Sequence, residues 1–378
     1  MRYRKLGRTD LDISEISVGT EWLYKKSPDS IIGVITKAID YGVNYFDIIF
    51  NVPEFLQKIS KAIEGKRDKL ILTHHLGSYY KSTKYMKTRS IKKCEEVFNN
   101  YLEIMNTDYV DILFVHFVMN EKQYEECIKP DGVLDLALRL KEEGKARFIT
   151  LSTHNAKVAI RTAESRKIDA IMIQLNMASN AMPYRSEMLS ICAQNEVGII
   201  AMKPFAGGTL LKADSKVSIG GYKIGAYDPA GNKDFSKKMI SKDATSIKCL
   251  SYVLSQMGVS TVVLGVASIE ELDDCMSYYD ASDEELDYSL VLKEFDEYIT
   301  GVCVYCNHCQ PCPADIDIGP LFRIYDLAKK QKTKIIQMSY NELEVKASEC
   351  IECGDCIDRC PFDVAVIDKM KEAASFME

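Results

Sequence analysis

The chain has 378 residues, 47% hydrophobic and 27% charged, with a formal charge of −7 and a pI near 5.5. At about 150 residues per domain, that is two or three domains, or one large barrel plus a small module. The acidic balance argues against nucleic acid or an anionic membrane as partner. No stretch approaches the roughly 18 apolar residues of a membrane span, and the basic start Met1–Lys5 runs into a Gly7-Arg8-Thr9-Asp10 turn with no apolar leader, which predicts a cytoplasmic protein.

From residue 14 to 280, short β-rich apolar runs alternate with longer amphipathic segments. In order the predicted pairs are Ile16–Gly19 with Ser30–Tyr41, Val43–Ile48 with Glu54–Glu64, and Leu70–His74 with Ser90–Ile104. Then come Tyr109–His116 with Val133–Glu143, Ala146–Ser152 with Ala156–Ser165, and Ala170–Gln174 with Ser186–Asn195. Gly198–Met202 with Thr245–Met257 and Thr261–Gly265 with Ile269–Ser277 complete the series. Eight βα units with continuous apolar strands predict a parallel (β/α)₈ barrel, the count favouring it over an open doubly wound sheet. Residues 206–242, rich in Gly, Lys and Asp, read as a long loop overhanging the mouth after the seventh strand. An acidic helix-like segment, Asp283–Tyr298, leads out of the barrel, which places a barrel domain at 1–290 and a small C-terminal module at 291–378.

The module reading comes from the cysteines. Of thirteen, Cys94, Cys127, Cys192, Cys249 and Cys275 are scattered, and the other eight form two runs. The first is Cys303-x-x-Cys306-x-x-Cys309-x-x-Cys312-Pro313, and the second is Cys350-x-x-Cys353-x-x-Cys356-x-x-x-Cys360-Pro361. In a reducing compartment clustered thiols are metal ligands rather than disulfides. Zinc sites also use C-x-x-C pairs, but have no need of three evenly spaced cysteines followed by a fourth before proline, twice. Three thiolates at this spacing wrap one face of a cubane whose fourth iron takes a ligand from elsewhere. The runs resemble bacterial two-cluster ferredoxins, in which that ligand comes from the other run. The resemblance implies two [4Fe–4S] clusters, one on Cys303, Cys306, Cys309 and Cys360, the other on Cys350, Cys353, Cys356 and Cys312.

The barrel carries Lys5-Leu6-Gly7-Arg8-Thr9, Ser17-Val18-Gly19-Thr20, Gly42-Val43-Asn44-Tyr45-Phe46-Asp47 and Asp108–His116. Ser152-Thr153-His154 and Met202-Lys203-Pro204-Phe205-Ala206-Gly207-Gly208 follow. In these stretches it resembles the aldo-keto reductase superfamily, and the whole chain resembles the branch with a C-terminal ferredoxin-like domain. The resemblance implies an Asp, Tyr, Lys and His at strand ends, the Tyr giving a proton to a carbonyl while a nicotinamide delivers hydride. Asp47 and His116 stand in place; the Tyr position is Val52 and the Lys position is His74, so ordinary NADPH-dependent carbonyl reduction is not expected. An Asp47–His74 pair would raise the histidine pKa and make His74 an acid near neutral pH, with His116 polarising a substrate oxygen. The competing reading is a drifted pocket that these histidines merely fill.

By the same resemblance, Ser152, Thr153 and Gln174 would meet a nicotinamide carboxamide, and Lys203 would be the base left on that side. Gly265 and Ser268 open a helix start whose amides suit a pyrophosphate. The loop after Gly265 holds four acids and no base, which disfavours NADP(H) while leaving NAD(H) or a flavin open. The resulting expectation is an iron–sulfur oxidoreductase acting on a small organic carbonyl or alcohol, with a ferredoxin- or flavodoxin-type electron partner. A non-catalytic carrier on a barrel scaffold, and a lyase or isomerase using the His/Asp cluster, are the rivals.

Overall fold

The computed structural model describes residues 1–81, 84–177, 184–206, 210–211, 244–292, 303, 309, 312–330, 332, 334–358, 360 and 364–378. The loop expected at 206–242 lies almost wholly outside them, as do Cys306 and His308. Twelve strands are present among the described residues: β1 Tyr3–Lys5, β2 Asp12–Ser14, β3 Ile16–Gly19, β4 Tyr45–Asp47, β5 Ile71–Leu76, β6 Ser78–Lys81, β7 Lys84–Lys87, β8 Val110–Val115, β9 Ala146–Thr153, β10 Ala170–Gln174, β11 Gly198–Met202 and β12 Val259–Gly265.

Eight of them close a parallel barrel in the order β3-β4-β5-β8-β9-β10-β11-β12, with β12 pairing back on β3 from Val262↔Ile16 to Gly265↔Gly19. Strand alternation sorts the side chains. Tyr45, Ile71, Ile112, Phe114, Ala170, Met172, Ile200 and Val263 fill the lumen, while Phe46, Leu72, Leu113, Ile149, Ile171 and Ile199 face the surrounding helices. The β1–β2 hairpin plugs the lower end with Leu6, Leu11 and Ile13.

The predicted barrel helices form within one to three residues of expectation, among them Pro28–Asp40, Ile91–Met105 and Ile269–Met276, each begun by a serine whose hydroxyl accepts a first-turn amide. Beyond the β1–β2 hairpin and the short 3₁₀ turns, two elements of the barrel were not anticipated. One is a short helix, Glu121–Ile128, after β8. The other is the antiparallel β6–β7 hairpin after β5, and Gly77 at its neck has φ +97 with its would-be Cβ 2.7 Å from the Thr88 carbonyl oxygen. Only glycine takes that conformation without strain. The expected acidic helix forms over Asp283–Leu286 and again over residues 289–292, where the description stops. Beyond the barrel, Ile318–Lys330, Lys334–Asn341 and Val366–Met377 pack as a helical module. No helix among the described residues is long and apolar enough to cross a membrane.

Candidate active site

Asp47 ends β4 with its carboxylate turned into the barrel mouth and 8% of its surface exposed. Its Oδ1 receives His75 Nε2 at 2.9 Å, the Thr73 hydroxyl at 3.3 Å and the Tyr45 hydroxyl at 3.4 Å. Tyr45 lies deeper in the lumen, and burial pushes its phenol well above the ordinary range, with the Asp47 charge adding. His75 stacks on Phe114 with centroids 4.2 Å apart, and its Nδ1 lies 3.1 Å from Nδ1 of His116. His116 Nε2 is in turn 2.6 Å from the hydroxyl of Tyr85, on β7. The result is a continuous polar chain, Asp47–His75–His116–Tyr85, buried at one end and half-exposed at the other.

The expectation that His74 partners Asp47 is overturned, and strand parity is the reason. Along β5, Ile71, Thr73 and His75 point inward; Leu72, His74 and Leu76 point outward. His74 is fully buried against the edges of Phe98 and Tyr101, and neither ring nitrogen has a hydrogen-bond partner among the described residues. Burial, then His75, holds its pKa well below the ordinary range, the opposite of the shift expected. His116 is at the mouth as expected. Burial, followed by the charges of His75, Lys87 and Arg89, likewise lowers its pKa and keeps the imidazole neutral.

Val52, at the vacant tyrosine position, starts the helix Pro53–Ala62 and presents no hydroxyl. The phenol at the mouth comes instead from the hairpin, which is pinned at both flanks. Asn51 Nδ2 donates to the Ser78 carbonyl, the Ser78 hydroxyl to the Ile49 carbonyl, and Arg89 to the carbonyls of His116 and Phe117. Tyr24, Phe50 and Tyr80 pack with Tyr85 as an aromatic wall. Glu21 lies at the rim. Crowding by protein raises its carboxyl, an effect Lys203 opposes and Asp47 reinforces.

Most of the residues assigned to a dinucleotide are already engaged with neighbouring residues. Ser152 Oγ accepts the Phe117 amide at 2.7 Å and Thr153 Oγ1 the Asn155 amide at 3.0 Å. Gln174 ends β10 half-buried, beside Met202 in register. Lys203, in the left-handed region at φ 58, has Nζ 3.4 Å from His154 Nε2. A Cβ on Gly265 would meet the Trp22 indole at 2.5 Å. Ser268 caps the helix Ile269–Met276, accepting the Glu271 amide, and the buried Glu271 carboxylate accepts the Ala267 amide at 2.7 Å. A phosphate at this helix start would face a carboxylate that already holds the Ala267 amide.

In the C-terminal module, Cys312 of the first run and Cys350, Cys353 and Cys356 of the second line one pocket walled by Ile316, Ile318 and Met370. The Cys356 thiol is raised by burial and then by these three neighbours. Four thiols, none of them in a disulfide, line this apolar recess and suit an iron–sulfur cubane, and they include the ligand expected to cross from the other run. Cys309 is buried, and Cys303 and Cys360 are half-buried.

Sequence reasoning gave His75 no role and missed Tyr85 and Glu271. Parity with Thr73 would have identified His75. Nothing in the sequence placed Tyr85 at the mouth.

A profile of the Aldo/keto reductase family matches residues 15–289, and one of a 4Fe-4S dicluster domain matches residues 302–365. Among curated proteins, the chain is 26% identical over 289 residues to the uncharacterized oxidoreductase YqkF of Bacillus subtilis, covering 72% of this chain and 89% of that one. It is 23% identical over 304 residues to L-glyceraldehyde 3-phosphate reductase of Escherichia coli, covering 72% and 86%. Among solved structures, the aldo-keto reductase AKR11C1 of Bacillus halodurans in its holo form superposes with a TM-score of 0.62 at 21% identity, covering 79% of this chain and 96% of that one.

Proposed function

The chain belongs to the aldo/keto reductase family and is an oxidoreductase with a 4Fe-4S dicluster domain, and from that premise we propose that it interconverts a small organic carbonyl compound and its alcohol at the barrel mouth without NADP(H). The observation that carries this reading is the buried chain from Asp47 through His75 to His116, at the ends of β4, β5 and β8. Joined by a 2.9 Å hydrogen bond, Asp47 and His75 together do the work of the acid–base pair lost with the lysine. His116, kept neutral, passes a proton without holding a charge of its own.

Cys312, Cys350, Cys353 and Cys356 would hold one [4Fe–4S] cluster, and Cys303, Cys306, Cys309 and Cys360 the other. Bound there, the clusters supply one-electron redox sites. That suits a ferredoxin- or flavodoxin-type electron partner, and a cytoplasmic location where thiols stay reduced. Glu271 at the helix start supports a barrel that takes its electrons from a carrier or a flavin rather than from a dinucleotide phosphate ester.

The test is anaerobic purification followed by absorbance and EPR during titration with NADH, NADPH and dithionite. Reduction by dithionite but not by NADPH is the expected result. A colourless protein containing zinc and no iron, or rapid cluster reduction by NADPH, would overturn the reading.

A further inference from the structure

Tyr85 is the one member of the polar chain with appreciable exposure; Asp47, His75 and His116 are 8%, 1% and 3% exposed. An acid or base that meets substrate must lie where the chain reaches the mouth. We propose that Tyr85 is the catalytic residue that exchanges a proton with the substrate oxygen, and that one proton on His75 sets whether it can. The proposal rests on the carbonyl–alcohol reading above.

Hydrogen-bond bookkeeping along the chain leads to this. An ionised Asp47 can only accept, so His75 Nε2 carries a hydrogen. The 3.1 Å contact between the two Nδ1 atoms then needs one hydrogen between them. If His75 is neutral, His116 donates from Nδ1, its Nε2 accepts, and the Tyr85 O–H is spent pointing inward. If His75 carries a second proton, it donates to His116 Nδ1, His116 donates from Nε2 to the Tyr85 oxygen, and the phenol hydrogen is free to point at substrate. One added proton therefore reverses the polarity of the whole row.

The transfer balances. As C=O becomes CH–OH it takes up two electrons and two protons. The electrons come from a low-potential one-electron donor, the carbon-bound proton from water and the oxygen-bound proton from Tyr85. Tyr85 is refilled from His116 Nε2 and His116 Nδ1 from His75, leaving neutral His75 on the Asp47 carboxylate. Burial, and then the Glu21 charge, pushes the Tyr85 phenol up to about 12 against the opposing Ser78 and Arg89, so Tyr85 waits as a phenol. The titratable and charged groups around the row are Asp47 and Tyr45 on β4, Glu21 beyond β3, and His74 on the far face of β5. Lys87 and Arg89 from the hairpin and its flank, Lys203 beyond β11, and the phenols Tyr24 and Tyr80 packed on the Tyr85 side complete them.

The experiment uses the anaerobic full-length protein with reduced methyl viologen as donor and benzaldehyde or glyceraldehyde as probe. Tyr85→Phe keeps the ring in the aromatic wall and removes only the hydroxyl. It should lower kcat on the order of 10²–10³-fold with KM within about threefold, and abolish the alkaline fall of the wild-type rate. Tyr80→Phe, opposite Tyr85 in the hairpin register, should leave both unchanged. A Tyr85→Phe enzyme with wild-type kcat and pH profile overturns the proposal alone. A wild type that converts neither probe overturns the carbonyl reading beneath it. In that case ¹⁵N-histidine NMR still decides on Tyr85: Tyr85→Phe should move the His116 ring resonances and leave His154 in place, and an unmoved His116 overturns the row.

Discussion

The two sides of the barrel mouth have gone opposite ways. Where β4, β5 and β8 end, polar groups hand their hydrogen bonds outward from Asp47 until the last donor, Tyr85, reaches half-exposed ground. Where β12 ends, the groups close on themselves. Glu271 takes the Ala267 amide, Ser268 takes the Glu271 amide, and Trp22 covers Gly265. A helix start whose Ala267 and Glu271 amides are already answered from within has less to offer an anion, and breaking a buried carboxylate out of it costs several kcal/mol. A row with an unanswered end is where chemistry can be done.

The sharpest way to break this comparison is to change two neighbouring histidines. His75→Phe cuts the row in the middle and should lower carbonyl turnover on the order of 10²–10⁴-fold. His74→Phe, one residue away on the outward face, should leave kcat within about twofold. Steady-state kinetics of the two variants at one pH checks both, and equal losses would mean that the inward row is not the working side. On the closed side, Glu271→Gln removes the charge from the helix start and should tighten binding of inorganic pyrophosphate about fivefold, roughly 1 kcal/mol. Calorimetric titration of pyrophosphate reads this, and an unchanged affinity would mean that something other than Glu271 bars the site.

These contrasts separate what the sequence disclosed from what it could not. The barrel was legible because each strand is a continuous apolar run, as in Ala170–Gln174 and Gly198–Met202, whose bounds were anticipated in full. The grouping of Cys312 with Cys350, Cys353 and Cys356 in one recess was legible through the resemblance of the two runs to two-cluster ferredoxins. The barrel site was half legible. Asp47 and His116 sit at strand ends in a recognisable context, but choosing between His74 and His75 required counting parity back to Thr73. Tyr85 was out of reach, because its position depends on how a hairpin folds over the mouth from Gly77, a tertiary fact with no local periodicity. Glu271 read as one acid among four, and only the geometry shows it occupying an amide.

The smallest effect tests whether His74 belongs to the wall rather than to the site. Its folded pKa is depressed by burial, so the folded protein holds it neutral while the unfolded chain protonates it below about pH 6.5. Below that pH the unfolded state binds one proton more, and stability falls as pH falls, by about 1.4 kcal/mol per unit for each such histidine. His116, also depressed, contributes in the same direction. His74→Phe replaces an unpartnered buried imidazole with an apolar ring beside Phe98 and Tyr101, and should stabilise the protein by about 1 kcal/mol at pH 7. It should also remove one proton's worth of slope between pH 6 and 5 while leaving the His116 share. Anaerobic urea denaturation at pH 7, 6 and 5 reads both quantities. A variant with the wild-type slope would show that His74 is already protonated in the folded state, which would return it to the list of groups able to carry a proton.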